Sequence, residues 1–233
     1  YYFLKNLGFF DNLNYIFLNK KLNEIYKIES KKNLILDDAV NIQEFKQKKL
    51  IKYKKTCVYI GSFFEGKGIE QIFRLASLNK NIKFHLYGDK EYLKIYQKLD
   101  NVSVFNFINY NKIPETLSKY EVALMPYQKK VKGRSSIWLE KYMSPLKMFD
   151  YLAARMIIVA SDLKVYRHIL KNDYNYFLIK INDDKRWSQK IQKLFKFNNK
   201  KNRLMNNAYK TAEKYTWEKR CKKIMHFISS VFN

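Results

Sequence analysis

The sequence has 233 residues, of which 47% are hydrophobic and 17% aromatic, and its formal net charge is +25. This length and composition allow a sizeable core and exclude a globally disordered chain. They also exclude a transmembrane helix, because no run of about 18 uncharged apolar residues is present. The cysteines, Cys57 and Cys221, lie far apart and fit a reducing compartment. We therefore expect a cytoplasmic location, with peripheral contact to the inner membrane face as a further option.

The positive charge raises the question of a nucleic-acid or membrane partner. Of the 46 basic residues only seven are arginine, whereas nucleic-acid binders usually rely on arginine as well. Lysine shares A/T-rich codons with the abundant Asn, Ile, Phe and Tyr. The excess therefore favours solvated surface lysine, and we expect no nucleic-acid partner. A non-catalytic basic module that binds polyanions or a membrane surface stays open as an alternative.

Short apolar runs alternate with helical patterns along most of the chain. The pattern predicts strands at 57–61, 82–88, 102–107, 122–127, 157–161 and 176–181. It predicts helices at 68–78, 91–99, 112–120, from Pro145, at 164–170, and at about 184–197, 199–213 and 216–231. Such alternation predicts an α/β fold, a Rossmann-like doubly wound parallel sheet, whose ligands bind beyond the carboxyl ends of the strands.

The first 50 residues show a different pattern. They predict a strand at 14–19, a helix at 20–28, a short strand with an acidic turn at 32–45, and a linker at 46–55. One or two strands do not form a sheet domain alone. Because the sequence also begins with Tyr1 and not Met, we expect residues 1–50 to be the remnant of a preceding domain and its linker.

The stretch "GSFFEGKGIE" places three glycines between a strand and a helix. Gly61 would let a ligand approach the backbone, the helix would offer free N–H groups to an anion, and Lys67 would add a positive charge. The spacing fits neither a Walker loop nor G-x-G-x-x-G. An ordinary strand-to-helix turn explains the pattern equally well.

The stretch "SPLKMFDYLAA" carries a helix-start signal, with Ser144 as the N-cap and Pro145 at the first helical position. Lys147 in the first turn opposes the helix dipole by about 0.3–1 kcal/mol. A bound diphosphate would reverse that sign, and Asp150, one turn deeper, would accept hydrogen bonds from two ligand hydroxyls. The competing interpretation is a surface pair between Lys147 and Asp150.

A third candidate is "MPY" at 125–127, which ends in Tyr127 and precedes the basic loop "QKKVKGR". This loop would fold over a phosphate, or simply be solvated. His85, His168 and His226 lie in strand or helix patterns typical of structural histidines. The sequence shows neither a His/Cys metal cluster nor a Ser–His–Asp order, so we expect no metal and no cofactor.

Six segments occur in an order and spacing that resemble the C-terminal domain of the group 1 (family 4) glycosyltransferases of GT-B fold. They are "YIGSFFEGKGIE", "FHLYG", "VALMPY", "SPLKMFDYLAA", "IIVASDL" and "YTWEKR". The resemblance covers about residues 14–231. It implies a nucleotide-sugar-binding domain at 51–214 and a helix at 215–233 that returns to a first domain, most of which would be missing.

The resemblance implies a retaining glycosyltransferase that uses a nucleotide-diphosphate sugar donor and an acceptor glycan, lipid or small molecule. Lys67 and Lys147 would be catalytic, by stabilising the leaving diphosphate. The implied donor-binding residues are Gly61, Lys67, Gly88, Tyr127, Ser144, Pro145, Leu146, Lys147 and Asp150. Asp150 would hold the ribose hydroxyls, and Gly88 and the loop after Phe107 would border the base. Another GT-B enzyme, such as a nucleotide-sugar epimerase, is a second alternative.

The sequence departs from the family pattern at four positions. Ser62 stands where the family often has Arg, and Tyr142 takes the first of two acidic positions, for which Glu140 is the candidate substitute. Arg155 replaces a glycine and Ile157 a proline at the end of the same helix. The last two changes should affect structure more than donor contact.

Overall fold

The structure is a computed structural model that describes residues 13–27, 33–46, 49–89, 98–132, 143–196 and 200–232. The strands are β1 (Tyr15–Phe17), β2 (Asn33–Ile35), β3 (Thr56–Ile60), β4 (Lys83–Tyr87), β5 (Val102–Phe105), β6 (Val122–Met125), β7 (Ile157–Ser161) and β8 (Tyr176–Ile179). The α-helices are α1 (Lys20–Tyr26), α2 (Ile69–Leu78), α3 (Ile113–Ser118), α4 (Leu146–Ala153), α5 (Asp184–Lys196), α6 (Lys201–Ala212) and α7 (Trp217–Phe232).

The main sheet has six parallel strands in the order β5-β4-β3-β6-β7-β8. The chain winds outward from β3 in one direction and from β6 in the other, which confirms the Rossmann-like doubly wound fold. Between these two strands the direction of winding reverses. They pair only through Cys57 with Val122 and Val58 with Ala123, so their carboxyl ends separate into a crevice, where such sheets bind ligands.

The strands of the main sheet bury both faces, because helices cover each side. One side packs Ile60, Met125, Ile158 and Ala160 against Phe149, Leu152, Ala208 and Ala212. The other side packs Tyr59, Phe84, Leu124 and Val159 against Ile72, Leu75, Trp187 and Ile191. This two-sided burial explains why the strands are continuous apolar runs in the sequence.

The predicted elements of the main sheet are confirmed with small shifts of their ends, with one exception. The helix predicted at 164–170 is wrong: only a 3-10 turn, Lys164–Tyr166, forms there. Arg167 folds back onto the strand end and donates two hydrogen bonds of 2.7 Å to Asp162. The carbonyls of Ile169 and Leu170 accept hydrogen bonds from Asn175 Nδ2 and the Tyr176 hydroxyl and not from a further helical turn. The helix predicted at 91–99 lies largely outside the described residues.

The segment before the main sheet forms a small unit of its own. β1 and β2 pair in parallel, with Tyr15 opposite Asn33, and α1 connects the two strands. Val40 then bridges to Thr216 at the start of α7. The predicted domain boundaries at residues 50 and 214 stay predictions.

No helix in the described ranges is long and apolar enough to cross a membrane.

The described part of the predicted linker packs against the main sheet domain, although its sequence is rich in lysine. Lys49 lies among apolar side chains, and its Nζ donates to the carbonyls of Leu117 and Tyr120 at 3.0 and 2.5 Å. These carbonyls lie at the end of α3, where acceptors lack helical partners. Burial lowers the pKa of Lys49 to about 7. The linker is therefore fixed to the main sheet domain before β3 begins.

Candidate functional site

The crevice begins where β3, β4 and β5 end side by side. The N–H of Gly61 donates to the carbonyl of Tyr87, and the N–H of Gly88 donates to that of Phe105. Gly61 has a φ of 141°, which L side chains rarely adopt. A Cβ on Gly88 would lie 2.4 Å from the carbonyl oxygen of Gly61. The predicted Gly61 and Gly88 are therefore neighbours, and only glycine lets these strand ends meet.

The glycine loop is paired with the loop that follows β6. The N–H of Gln128 donates to the carbonyl of Gly66 at 2.8 Å, and the N–H of Lys132 donates to that of Glu65 at 2.9 Å. A Cβ on Gly66 would lie 1.9 Å from the carbonyl oxygen of Lys130. The described part of the basic loop thus packs against the glycine loop at the same edge of the sheet.

Helix α4 starts one residue later than predicted, at Leu146, with Pro145 at the N-cap position. Ser144 is not the cap, because its Oγ accepts a hydrogen bond from the N–H of Asp38 at 3.4 Å. Leu146, one of the implied donor-binding residues, is 53% exposed, whereas Phe149 and Ala153 on the same helix are buried. The N-cap residue Pro145 makes no side-chain hydrogen bond to the first turn, so it leaves the amino-terminal N–H groups and the helix dipole available to a ligand.

Lys147 carries the most unusual environment of the described chain. Its Nζ is shut off from solvent and has no hydrogen-bond partner among the described residues. It lies 3.7 Å from the ring centroid of Tyr59 and 5.4 Å from that of Tyr127. Burial, and then the charge of Lys67, hold the pKa of Lys147 well below its usual value. A buried ammonium without an acceptor costs free energy that an incoming anion would recover.

Lys67 also lies near the Tyr127 ring, with its Nζ 5.0 Å from the centroid. Burial also lowers its pKa. Tyr127 is 2% exposed, and its buried ring lies within 5.4 Å of the Nζ atoms of both lysines. The structure brings together the two lysines predicted from separate motifs and places both at the uncapped end of α4.

Asp150 lies one turn into α4, and its side chain is 6% exposed. Tyr110, in the turn after β5, donates a hydrogen bond of 3.4 Å to its Oδ1. Burial raises the pKa of Asp150 to about 7; Glu44 adds to the rise, and the Tyr110 hydrogen bond and Lys147 oppose it. The competing interpretation, a surface pair between Lys147 and Asp150, is wrong, because the Asp150 side chain and the Lys147 Nζ are both buried.

One of this chain's two departures from the family pattern at the end of α4, Arg155, has a local explanation. Arg155 adopts a left-handed conformation with a φ of 54°, which favours glycine at the end of a helix. Its guanidinium lies 3.9 Å from the ring centroid of Tyr209 on α6, which holds the strained residue in place. Glu140 and Tyr142, the candidates for the first acidic position, lie outside the described residues.

Two residues of the crevice escaped sequence reasoning. Tyr59 looked like an ordinary strand residue, yet its ring contacts Lys147, and its hydroxyl donates to the carbonyl of Ser62. Tyr110 sits in a stretch without a motif. The only available signal was position, because both residues lie near the carboxyl end of a predicted strand.

A separate cavity of about 750 Å³ lies on the side of α2, between Glu65, Arg74, Lys129 and Asn182. None of the predicted site residues lines it. The described residues contain no group of three His, Cys, Asp or Glu side chains placed to hold a metal ion. The expectation of a metal-free site stays a prediction.

The segment between β2 and the linker is held in place by side chains from the C-terminal part of the chain. Arg220, the last residue of "YTWEKR", donates to the carbonyls of Leu36 and Asp37 at 3.0 and 2.8 Å. The Nε2 of His168 lies 2.8 Å from Asp37 Oδ1. The last motif therefore fixes the path of the chain into the main domain and does not reach the crevice.

The His168–Asp37 pair predicts a small pH dependence of stability. The hydrogen bond to Asp37 raises the pKa of His168 above the usual value of 6.5. A raised pKa in the folded state means that the stabilisation is fully present below about pH 6.5 and is lost as the pH rises through the folded-state pKa. His168→Gln should thus lower the free energy of unfolding by under about 1 kcal/mol at low pH, and by almost nothing at high pH.

Urea denaturation at about pH 5.5 and about pH 8.5 measures this difference. His226→Gln on α7 is the matched control, because the structure gives that histidine no ion pair among the described residues. An equal loss of stability at both pH values would contradict the role of the pair.

A sequence model of the family described as glycosyl transferases group 1 matches residues 41–211. Among solved structures, a glycosyltransferase from Rickettsia africae has a TM-score of 0.76 and 12% identity, over 97% of this chain and 66% of that one. HepE from Anabaena, in complex with UDP and glucose, has a TM-score of 0.73 and 13% identity, over 92% and 62%.

A TarM variant from S. aureus, in complex with Fondaparinux, alpha-GlcNAc-glycerol and UDP, has a TM-score of 0.70 and 17% identity, over 94% of this chain and 44% of that one. This chain thus spans between about half and two thirds of the length of these proteins. No curated protein matches the sequence. At these identities the solved structures establish the shared GT-B fold, and the family match covers most of the chain. The chain belongs to the group 1 glycosyl transferases.

Proposed function

We propose that this chain is the donor-binding half of a retaining glycosyltransferase that moves a sugar from a nucleotide-diphosphate sugar to an acceptor. The observation that carries the proposal is the ε-amino group of Lys147, which is buried in the first turn of α4 without an acceptor among the described residues. A site with this charge and these free donors is built for an anion. The two neighbours in complex with UDP support a nucleotide as that anion.

The chemistry asked of these residues is stabilisation of the leaving diphosphate. When the glycosidic bond breaks, negative charge accumulates on the bridging oxygen and positive charge on the anomeric carbon. Lys147, Lys67 and the N–H groups of α4 are fixed in place before the reaction and in a low-dielectric setting, so they favour that charge without reorganisation. The approaching diphosphate would also favour the charged form of Lys147.

The rest of the donor would extend from this point along the strand ends. Asp150 would accept hydrogen bonds from the ribose, and Gly88 would border the base beside β5. Ser144, Pro145 and Leu146 would lie near the phosphates and the sugar. The acceptor is a glycan, lipid or small molecule, and it would bind on the side of the crevice that faces the first domain. A polyanion-binding module explains Lys67 and Lys147 less well, because their side chains are buried at the crevice and not exposed on the surface.

A thermal-shift panel on the full-length protein tests the donor class. A nucleotide sugar that occupies the site should raise the melting temperature by mass action, by an amount that grows with its concentration. UDP-, GDP- and ADP-sugars should differ, because the base lies against a defined wall at Gly88. No shift with any of the three would count against the proposal.

Replacing Lys67 or Asp150 with alanine in the full-length enzyme should each lower the rate of transfer more than tenfold. Lys67→Ala removes a charge beside the diphosphate, and Asp150→Ala removes the ribose acceptor. Lys222→Ala is the matched control, since Lys222 pairs with Glu218 on the exposed side of α7 and carries the same charge. Near-wild-type transfer by both site variants would overturn the site assignment.

A further inference from the structure

The carboxylate of Asp150 is held by a residue that belongs to none of the sequence motifs. Tyr110 lies in the 3-10 turn Tyr110–Lys112, which follows β5, and half of its side chain is exposed at the mouth of the crevice. Its hydroxyl donates to Asp150 Oδ1. In the described part of the chain this is the single hydrogen bond to the Asp150 carboxylate, which leaves the other oxygen for a ligand.

A second charged group, Glu44, acts on the same carboxylate from the segment that precedes the linker. Glu44 lies on the 3-10 helix Ile42–Phe45, is exposed, and accepts a hydrogen bond from Asn41. Its negative charge raises the pKa of both Asp150 and Tyr110, whereas Lys147 acts on Asp150 in the opposite direction. These are the charged and titratable groups of the described chain that face Asp150, and they come from three separate elements.

Resting on the proposed function, we propose that Tyr110 is a positioning residue for the ribose of the donor. Tyr110 fixes one oxygen of Asp150 and keeps the carboxylate turned toward the crevice.

The hydrogen bond from Tyr110 to Asp150 predicts a pH dependence of donor binding with a definite sign. An ionised carboxylate accepts hydrogen bonds from two ribose hydroxyls, whereas the protonated acid gives up acceptor capacity on one oxygen. Burial raises the pKa of Asp150 to about 7, so donor affinity should increase as the pH rises through that value. The Tyr110 hydroxyl favours the ionised form and Glu44 disfavours it, so their removal should move the midpoint in opposite directions.

The experiment is a calorimetric titration of the full-length protein with UDP-glucose, GDP-mannose and ADP-glucose from about pH 5.5 to about pH 9. Tyr110→Phe should move the midpoint to higher pH and weaken binding about three- to tenfold near pH 7, with little effect at the alkaline end. Glu44→Gln should move the midpoint to lower pH and tighten binding near pH 7. Because Tyr110 acts on binding, KM should rise for Tyr110→Phe while kcat stays nearly unchanged.

Tyr174→Phe is the matched control, since this tyrosine is exposed away from the crevice and should leave the midpoint where it is. A purely structural role of Tyr110 would weaken binding equally at every pH and so would overturn the inference. Shifts of both variants in the same direction, or no shift, would overturn it as well. If none of the three nucleotide sugars binds the unaltered protein, the proposed function itself fails. Binding with unshifted midpoints removes only the role of Tyr110 and Glu44.

Discussion

Replacing Lys147 with methionine in the full-length enzyme is expected to lower kcat/KM for sugar transfer by about 10²- to 10³-fold, the usual cost of removing one preorganised donor to developing charge. Methionine keeps the unbranched stem and fills the space beside Tyr59, but it removes the ammonium. The loss should appear mainly in kcat, because the charge on the bridging oxygen is largest in the transition state.

The stability of the same variant separates this explanation from misfolding. Lys147 Nζ is buried and has no hydrogen-bond partner in the described chain, so its replacement by an apolar group removes a desolvation cost. The free energy of unfolding should stay the same or increase by about 1 kcal/mol. Loss of transfer together with retained stability in urea would support the assignment. Transfer within about threefold of the unaltered enzyme would show that Lys147 does not stabilise the leaving group.

The fold could be predicted from the sequence because its physical requirements are local. A parallel strand buried on both faces is a continuous apolar run. The runs "VALM" and "IIVAS" therefore indicate such strands. Gly61 and Gly88 were also predictable, since positive φ and close strand ends require glycine. Lys67 and Lys147 came from helix-end chemistry together with the family resemblance, and the structure places them around one ring.

The contacts made across the chain could not be predicted in this way. Nothing in the sequence around Ser144 indicates that its hydroxyl accepts from Asp38, 106 residues away. Tyr59 and Tyr110 are two of 19 tyrosines, and only the folded strand order brings their side chains to Lys147 and Asp150. The helix predicted at 164–170 failed for a similar reason, because Asn175 and Tyr176, from the following segment, donate to the carbonyls of Ile169 and Leu170.

Replacing Gly61 with alanine should lower transfer more than tenfold by displacing Lys147. The new Cβ would lie 2.5 Å from Lys147 Nζ and 3.0 Å from its Cε, at a φ of 141° that costs about 1–3 kcal/mol for a side chain. The end of a lysine is flexible, so the side chain would move away from Tyr59 while the fold persists. Gly88→Ala is the contrasting variant, because its Cβ would meet the carbonyl oxygen of Gly61 and the ring of Phe63. There the backbone must give way, and stability should fall together with activity.

A double-mutant cycle decides whether Gly61 acts through Lys147 or by itself. If the methyl group acts by displacing the ammonium, Gly61→Ala should cost little further activity in the Lys147→Met background, because that ammonium is already absent. If glycine is needed instead for direct approach of the diphosphate to the backbone, the two losses should multiply. Since both single variants are expected to keep the fold, kcat/KM of the four proteins distinguishes a glycine that makes room for a lysine from one that makes room for the substrate.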